Sequence, residues 1–371
     1  MAAAEEGVAA WAVELLPAPA PDAPAAIRVS RAEGEGGFSA TYPIQFVRGV
    51  AYPAWCSEQR RDKLQSDVRL RQDDVLVVSY PKCGTTWAEQ CILLLQNRGD
   101  TSKMDPAAKN VYVPSNKEAP GKIWPEACVE QNPAVHTRIV PGHEFAPISL
   151  QEFDEAPAPR TLKSHAPPHL LLTGAGAGAD GGGGVVALPS STKVLVVTRN
   201  PLDACVSCFY HAWNPSKSGW PFAAWAAAWL SGNVPHGCWF DWVKAWKAEA
   251  DAQPGRVLWV QFEDLKADPV GTVRRVAAFL DPALGADEDL VQQVARASSF
   301  DAMREQAAAG KREEGEAGHL RKGVAGDWRN HFNDALRADF EQKYREKLRG
   351  TGIVFSLGEG EGDLVAAAAA E

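Results

Sequence analysis

The chain has 371 residues, with 38 Lys and Arg against 47 Asp and Glu and a formal net charge of -9. That length buries a sizeable core, as one large α/β domain or two smaller ones. The acidic balance excludes a nucleic-acid partner held by a general basic surface, so any anion site must be a local concentration of Lys, Arg and backbone dipoles.

Residues 1–37 are rich in Ala, Pro, Gly and Glu and read as a flexible low-complexity tail. Glu5, Glu6, Glu14 and Asp22 precede the first basic residue, Arg28. That order fits neither an Arg-rich transit peptide nor a secretory signal with a basic start. No uninterrupted apolar run is long enough to span a bilayer. The seven cysteines, Cys56, Cys83, Cys91, Cys128, Cys205, Cys208 and Cys238, are odd in number and scattered, which suits reduced thiols. A cytoplasmic protein with no membrane partner is expected.

The first predicted strand is Val75–Ser79, a continuous apolar run suited to a strand buried on both faces. Tyr80-Pro81-Lys82-Cys83-Gly84-Thr85-Thr86-Trp87 follow, and a helical pattern begins there. The order strand, loop, helix aims backbone N–H groups, a helix N-terminus and one lysine at a single spot, which suits an anion. It is not a Walker A sequence, G-x-x-x-x-G-K-S/T, because Lys82 precedes Gly84. A turn opening an ordinary helix would carry the same residues.

Thr161-Leu162-Lys163-Ser164-His165-Ala166-Pro167-Pro168 is a short extended segment ending in a histidine, and the two prolines exclude a helix there. His165 and His169 are four apart, but they lack helix geometry and a third ligand for zinc. Residues 173–184 are Gly- and Ala-rich and read as a loop insertion. The second strand is Lys193–Thr198. Arg199 stands at its carboxyl end, where open α/β sheets bind ligands. Pro201 suits a first helical turn, and Ser207 lies two turns in, on a face that can reach the same anion. A helix cap beside a solvated arginine is the plainer alternative. Cys205 and Cys208 read as small buried residues on that helix rather than a redox pair.

Trp239, Trp242 and Trp246 form one helical stripe and are expected in the core. Val257–Phe262 is the third strand. With helical patterns after each strand, the fold class expected is α/β, with a central mostly parallel sheet flanked by helices. Leu320-Arg321-Lys322-Gly323-Val324-Ala325-Gly326-Asp327-Trp328 joins two cations to two glycines, whose backbone can approach a phosphate closely. A solvated charged turn would look the same. Residues 358–371 run through Gly and Glu into poly-Ala and read as a second tail.

Together the four motifs resemble the cytosolic sulfotransferases, the plant soluble branch above all. The family loop Y-P-K-S/T-G-T-T-W matches Tyr80 to Trp87, R-N-P-x-D-x-x-V-S matches Arg199 to Ser207, and R-K-G-x-x-G-D-W matches Arg321 to Trp328. The histidine segment K/S-S/T-H-x-P matches Lys163 to Pro167. The resemblance implies the P-loop-like sulfotransferase fold as a single domain over 38–357. It implies transfer of a sulfuryl group from 3′-phosphoadenosine-5′-phosphosulfate (PAPS) to a hydroxyl of a small metabolite, with no metal. On the family pattern Lys82, Cys83, Gly84, Thr85 and Thr86 hold the 5′-phosphosulfate, and Arg199, Ser207, Arg321, Lys322 and Gly323 hold the 3′-phosphate. Trp87 and Phe300 stack on adenine, Ser298 hydrogen-bonds the base, and Phe262 borders the nucleotide. His165 is the general base, and Lys82 and Lys163 sit at the transferring group. Phe145 and the segment Trp213–Trp220 are candidates for the apolar lining of the acceptor pocket.

Three departures stand out. Cys83 replaces a hydroxyl residue, Phe262 replaces a frequent tyrosine, and the Gly-rich insertion follows the catalytic segment. The animal dimer motif K-x-x-x-T-V-x-x-x-E is absent after Trp328, where Asn333-Asp334 replace Thr-Val, so a monomer is expected. Two alternatives are a P-loop phosphotransferase and a non-catalytic nucleotide-binding protein. The first calls for a Walker lysine, and the second leaves His165 without a task.

Overall fold

A computed structural model of the chain describes residues 7–19, 23–31, 37–54, 56, 58, 70–103, 122–123, 154–156, 158–171, 189, 191–211, 216, 218–309, 320–357 and 363–365. Contacts gather into two compact units. The first comprises Met1–Glu58, Arg199–Lys244 and Val324–Glu371; the second comprises Gln59–Thr198 and Ala245–Gly323. The strands in chain order are β1 (Ala12–Leu16), β2 (Ala25–Arg31), β3 (Phe38–Val47), β4 (Val50–Pro53), β5 (Val75–Ser79), β6 (Lys122–Ile123), β7 (Thr161–Ser164), β8 (Lys193–Thr198), β9 (Val257–Gln261), β10 (Val354–Ser356) and β11 (Asp363–Val365).

The second unit holds a parallel sheet of order β6-β7-β5-β8-β9. Strands β5 and β8 at its centre are Val- and Leu-rich because neither face meets water. Val75, Val77, Leu195 and Val197 point to one face, into a cluster with Trp87, Ile92, Leu94, Val276, Val291 and Val294. The period of two turns Leu76, Val78, Val194 and Val196 to the other face, and they are buried as well. Each such side chain contributes about 1.5–3 kcal/mol by leaving water. The flanking helices are α1 (Thr85–Gln96), later residues of α4 (Trp239–Ala252), α5 (Phe262–Ala267), α6 (Pro269–Leu280), α7 (Pro282–Ala286), α8 (Glu288–Ala297) and α9 (Phe300–Ala309). This is the expected α/β architecture. The expected third strand is one residue shorter, because Phe262 already opens α5.

One ion pair ties the sheet together from inside. Arg160 precedes β7 and Asp74 precedes β5, and both are 1% exposed. Arg160 donates from Nε and Nη2 to the two oxygens of Asp74, at 2.7 and 2.6 Å. Asp74 also accepts the Arg71 N–H at 2.7 Å. This fork fixes the register that places Val77 beside Lys163 and Val78 beside Ser164.

The first unit holds an antiparallel sheet of order β1-β2-β3-β4, the helices α2 (Pro201–Phe209), α3 (Phe222–Ser231) and α10 (Asp334–Leu348), and the start of α4. Two of its strands correct the expectation of a flexible tail over residues 1–37. Within β2, Ile27 and Val29 alternate with Arg28 and are fully buried, and β2 pairs with β3 through Ile27↔Tyr42 and Val29↔Ala40. Trp11 lies edge-on to Phe38, with centroids 5.7 Å apart. The low-complexity composition hides a strand whose two inward residues are enough to fix its register. The second expected tail is corrected similarly, since β11 pairs antiparallel with β10. Trp229 stacks on Phe340 at 5.4 Å. Trp239, Trp242 and Trp246 are all buried, as the helical stripe implied. Cys205 and Cys208 are buried on α2 with no disulfide between them. Among the described residues no helix is long and apolar enough to cross a membrane.

Candidate active site

In the second unit, β5 ends at Ser79 and α1 begins at Thr85. The loop between them is built on left-handed backbone. Lys82 has φ 68° and Gly84 has φ 113°. A lysine in that region is strained by about 1–2 kcal/mol, a conformation that persists where the surroundings impose it. Gly84 is the N-cap of α1 and supplies no side-chain acceptor. The N–H groups at the start of a helix have no intrahelical acceptor, so the mouth of α1 at Gly84, Thr85 and Thr86 is an arrangement suited to an anion. The Thr85 hydroxyl is held by the Ser79 hydroxyl at 2.5 Å.

Cys83 differs from expectation in one detail. Its N–H does not stand ready for a ligand but donates to the Tyr80 carbonyl at 3.2 Å. Its thiol is fully buried and lies 3.8 Å from the Pro81 carbonyl. The tight turn from Tyr80 uses both groups internally. Replacement of the usual hydroxyl therefore alters the inside of the loop more than its mouth.

Gly84 also carries the first expected outcome. A Cβ there would lie 3.2 Å from Val197 Cγ1 and 3.4 Å from Phe262 Cδ2. Gly84→Ala combines that crowding with a backbone region L-residues avoid, at about 1–2 kcal/mol or more. The thermal midpoint should fall by roughly 2–8 °C, and calorimetry should show weaker binding of a bisphosphate ligand.

His165 follows β7 directly. Its Nδ1 lies 2.7 Å from the Ser79 carbonyl. A carbonyl only accepts, so Nδ1 carries the proton and Nε2 presents its lone pair. Burial first, then the positive charge of Lys163, then that of Lys82, lower the ring's pKa to about 3, while the bond to Ser79 opposes them. The imidazole is therefore neutral at pH 7. Ser164 Oγ accepts the Ala166 N–H at 3.1 Å, and Trp246 Nε1 donates to the Ala166 carbonyl at 3.1 Å. These bonds fix the turn that carries His165 into Pro167. Ser79, Trp246 and the Asp74–Arg160 fork were not expected as parts of the site.

Phe262 packs against Gly84, and Trp87 is 4% exposed among the core side chains. Ser298 caps the end of α8; it is 1% exposed, and among the described residues its hydroxyl has no hydrogen-bond partner. Gly323 has φ 65°, and a Cβ on it would collide with the Phe300 ring. Arg321 and Lys322 lead into that contact, with Lys322 exposed.

The first unit carries Arg199 and Ser207. Asn200 caps α2 by accepting the Asp203 N–H at 2.8 Å, and Pro201 takes the first helical position. Arg199 is not solvated: it is 8% exposed, and its Nη2 donates to the Val324 carbonyl at 2.7 Å. Ser207 is half-buried on α2. Phe145, Trp213 and the insertion 173–184 lie outside the described residues. Trp220 packs edge-on to Phe38 at 5.9 Å. Among the described residues no group of three His, Cys, Asp or Glu side chains could hold a metal ion.

A helix mouth and a lysine after β5 and a neutral histidine after the neighbouring β7 form an arrangement for moving an anionic group. A family model described as "Sulfotransferase domain" matches residues 72–352. The chain belongs to the sulfotransferase family. The match runs through both compact units. Mouse sulfotransferase 2A2 is 29% identical over 317 residues, covering 82% of this chain and 95% of that protein. Dog sulfotransferase 1B1 is 26% identical over 295 residues, covering 77% and 86%. Among solved structures, retinol dehydratase in a complex with retinol and PAP aligns with a TM-score of 0.61 at 19% identity, covering 87% of this chain and 89% of that one. Mouse sulfotransferase SULT7A1 complexed with PAP gives 0.54 at 22%, covering 82% and 95%. At these identities the structural likeness shows the fold. The relatives and the family model show a sulfotransferase enzyme.

Proposed function

We propose that the chain transfers a sulfuryl group from PAPS to a hydroxyl of a small organic acceptor, with His165 as general base. One observation carries the reading. Ser79 holds the base through its carbonyl and the anion-binding Thr85 through its hydroxyl, so base and anion mouth are fixed to the same residue. His165 Nε2 takes the acceptor's proton as its oxygen attacks sulfur in line. Lys82 stabilises the charge developing on the leaving phosphate, and Lys163 lies beside the transferring group. Gly84, Thr85 and Thr86 bind the 5′-phosphosulfate; Arg199, Ser207, Arg321, Lys322 and Gly323 bind the 3′-phosphate. Trp87, Phe300 and Phe262 border the base of the nucleotide.

The buried Ser298 hydroxyl supports a nucleotide there. An unsatisfied buried hydroxyl costs about 1–3 kcal/mol, and a ring nitrogen of adenine would satisfy it. The PAP complexes of retinol dehydratase and of the mouse enzyme support the same donor class. The acceptors we favour are flavonoids, hydroxyjasmonates or steroids of plant metabolism, handled in the cytoplasm by a monomer. Asn333 stands where the animal dimer motif has threonine and caps α10 by accepting the Leu336 N–H at 2.8 Å.

Calorimetry with 3′,5′-adenosine bisphosphate against ATP–Mg, followed by a sulfur-35 transfer assay on a phenol panel, tests the reading. Binding of the bisphosphate and label in a phenol are expected. Preference for ATP–Mg would favour a phosphotransferase instead, and binding without transfer would leave a nucleotide-binding protein.

A further inference from the structure

We propose that Asp203 is a positioning residue for the 3′-phosphate half of the donor site, holding the Val324–Trp328 turn and Arg199 in one fixed relation. The inference rests on the donor assignment above. Asp203 lies in the first turn of α2 and is 1% exposed. Its Oδ2 accepts the Gly326 N–H at 2.7 Å and the Asn200 Nδ2 at 3.0 Å, and its Oδ1 accepts the Trp328 N–H at 3.0 Å. Arg199 Nη2 stands 3.6 Å from Oδ2 while donating to the Val324 carbonyl. One carboxylate thus collects two backbone N–H groups of the turn, an amide of the helix cap and the guanidinium charge.

Buried acceptors of this kind are usually satisfied by their own helix or strand. Here the partners stand 123 and 125 residues away in sequence. They belong to the stretch that directly follows Arg321-Lys322-Gly323. Gly326 has φ 88°, a conformation glycine adopts without strain, and its conformational freedom leaves the turn to be fixed by its hydrogen bonds. A carboxylate is suited to those bonds because it only accepts, at both oxygens. An amide of the same shape offers one acceptor and one donor, which sets an NH2 against one of the two backbone N–H groups. Arg199 also loses its counter-charge. The predicted consequence is a loss confined to ligands that reach the 3′-phosphate groups.

The test compares two ligands on the full chain, 3′,5′-adenosine bisphosphate and adenosine 5′-monophosphate, which lacks the 3′-phosphate. Asp203→Asn should weaken the bisphosphate by about 10-fold or more, since bonds to charged groups are worth at least that much. The monophosphate should change by less than about 2-fold. Arg199→Ala is the control for the donor assignment. If Arg199→Ala leaves the preference for the bisphosphate intact, the donor assignment fails and the inference goes with it. If Arg199→Ala removes the preference while Asp203→Asn weakens both ligands equally, Asp203 is a staple of the fold and the proposal is overturned. Should Asp203→Asn fail to fold, Asp203→Glu, which keeps the charge but displaces it, enters the same comparison. Failure of both variants to fold would assign Asp203 to the fold and overturn the proposal too.

Discussion

His165→Ala should lower the turnover of sulfuryl transfer by about 10²–10⁴-fold, the range ascribed to a positioned general base. Affinity for 3′,5′-adenosine bisphosphate should stay within about 3-fold, because the anion mouth proposed at Gly84, Thr85 and Thr86 does not include the ring. The Ser79 carbonyl fixes the tautomer, and alanine removes the acceptor that Nε2 presents. A variant whose bisphosphate affinity collapsed would remove His165 from the role of base. pH supplies a second reading of the same residue. Burial, Lys163 and Lys82 together lower the ring's pKa to about 3. The free enzyme's acid limb in kcat/KM should therefore lie well below pH 6.5. Anionic donor beside Lys82 and Lys163 offsets their charge, so the acid limb of kcat should lie above that of kcat/KM. Stability follows the same sign. Between about pH 3 and 6.5 the unfolded chain binds a proton here that the folded chain does not. The contribution is complete above pH 6.5 and is lost as pH falls through that window. The alanine variant should lose less stability than the native chain between pH 6.5 and pH 4, measured by urea unfolding.

Much of the site was legible because its parts are local. Val75–Ser79 and Lys193–Thr198 were read to the residue, since a buried parallel strand must be a continuous apolar run and here each ends at a polar motif. Lys82, Gly84 and His165 were legible as motif residues whose chemistry is carried by residue type and spacing. What stayed hidden depends on distant partners. Ser79 looks like the last residue of a strand, and only the register of β5 with β7 brings its carbonyl to His165. Asp203 looks like a helix-start acid, and its work on Gly326 and Trp328 lies across 123 and 125 residues. The strands before Phe38 were hidden for another reason. Composition over residues 1–37 is dominated by Ala, Pro, Gly and Glu, and the signal was the alternation at Ile27 and Val29 alone.

Arg160→Ala should be the most destabilising of these substitutions, at about 3–5 kcal/mol, the range for breaking a buried ion pair from one side. Both partners are 1% exposed, and the contact is a two-point fork at 2.7 and 2.6 Å. Alanine leaves the Asp74 carboxylate buried with the Arg71 N–H as its remaining named partner, which satisfies one lone pair and none of the charge. At an m-value of about 3 kcal/mol/M the urea midpoint should fall by roughly 1–2 M. Arg160→Lys keeps the charge but cannot fork, and should recover only part of the loss. Pairing Arg160→Met with Asp74→Asn removes the uncompensated charge while leaving an acceptor for the Arg71 N–H. That double variant should be more stable than Arg160→Met alone, with a coupling of roughly 2 kcal/mol or more against the single variants Arg160→Met and Asp74→Asn. The fork also has a catalytic consequence, because it stands at the start of the two strands whose far ends meet as Ser79 and His165. Slippage of β7 against β5 would separate Nδ1 from its carbonyl and release the tautomer. Turnover of Arg160→Lys should therefore fall further than its affinity for bisphosphate, measured well below its thermal midpoint. If stability falls but turnover per folded molecule does not, the fork serves the sheet alone, and the alignment of the base must be held by Trp246 and the Ser164 turn.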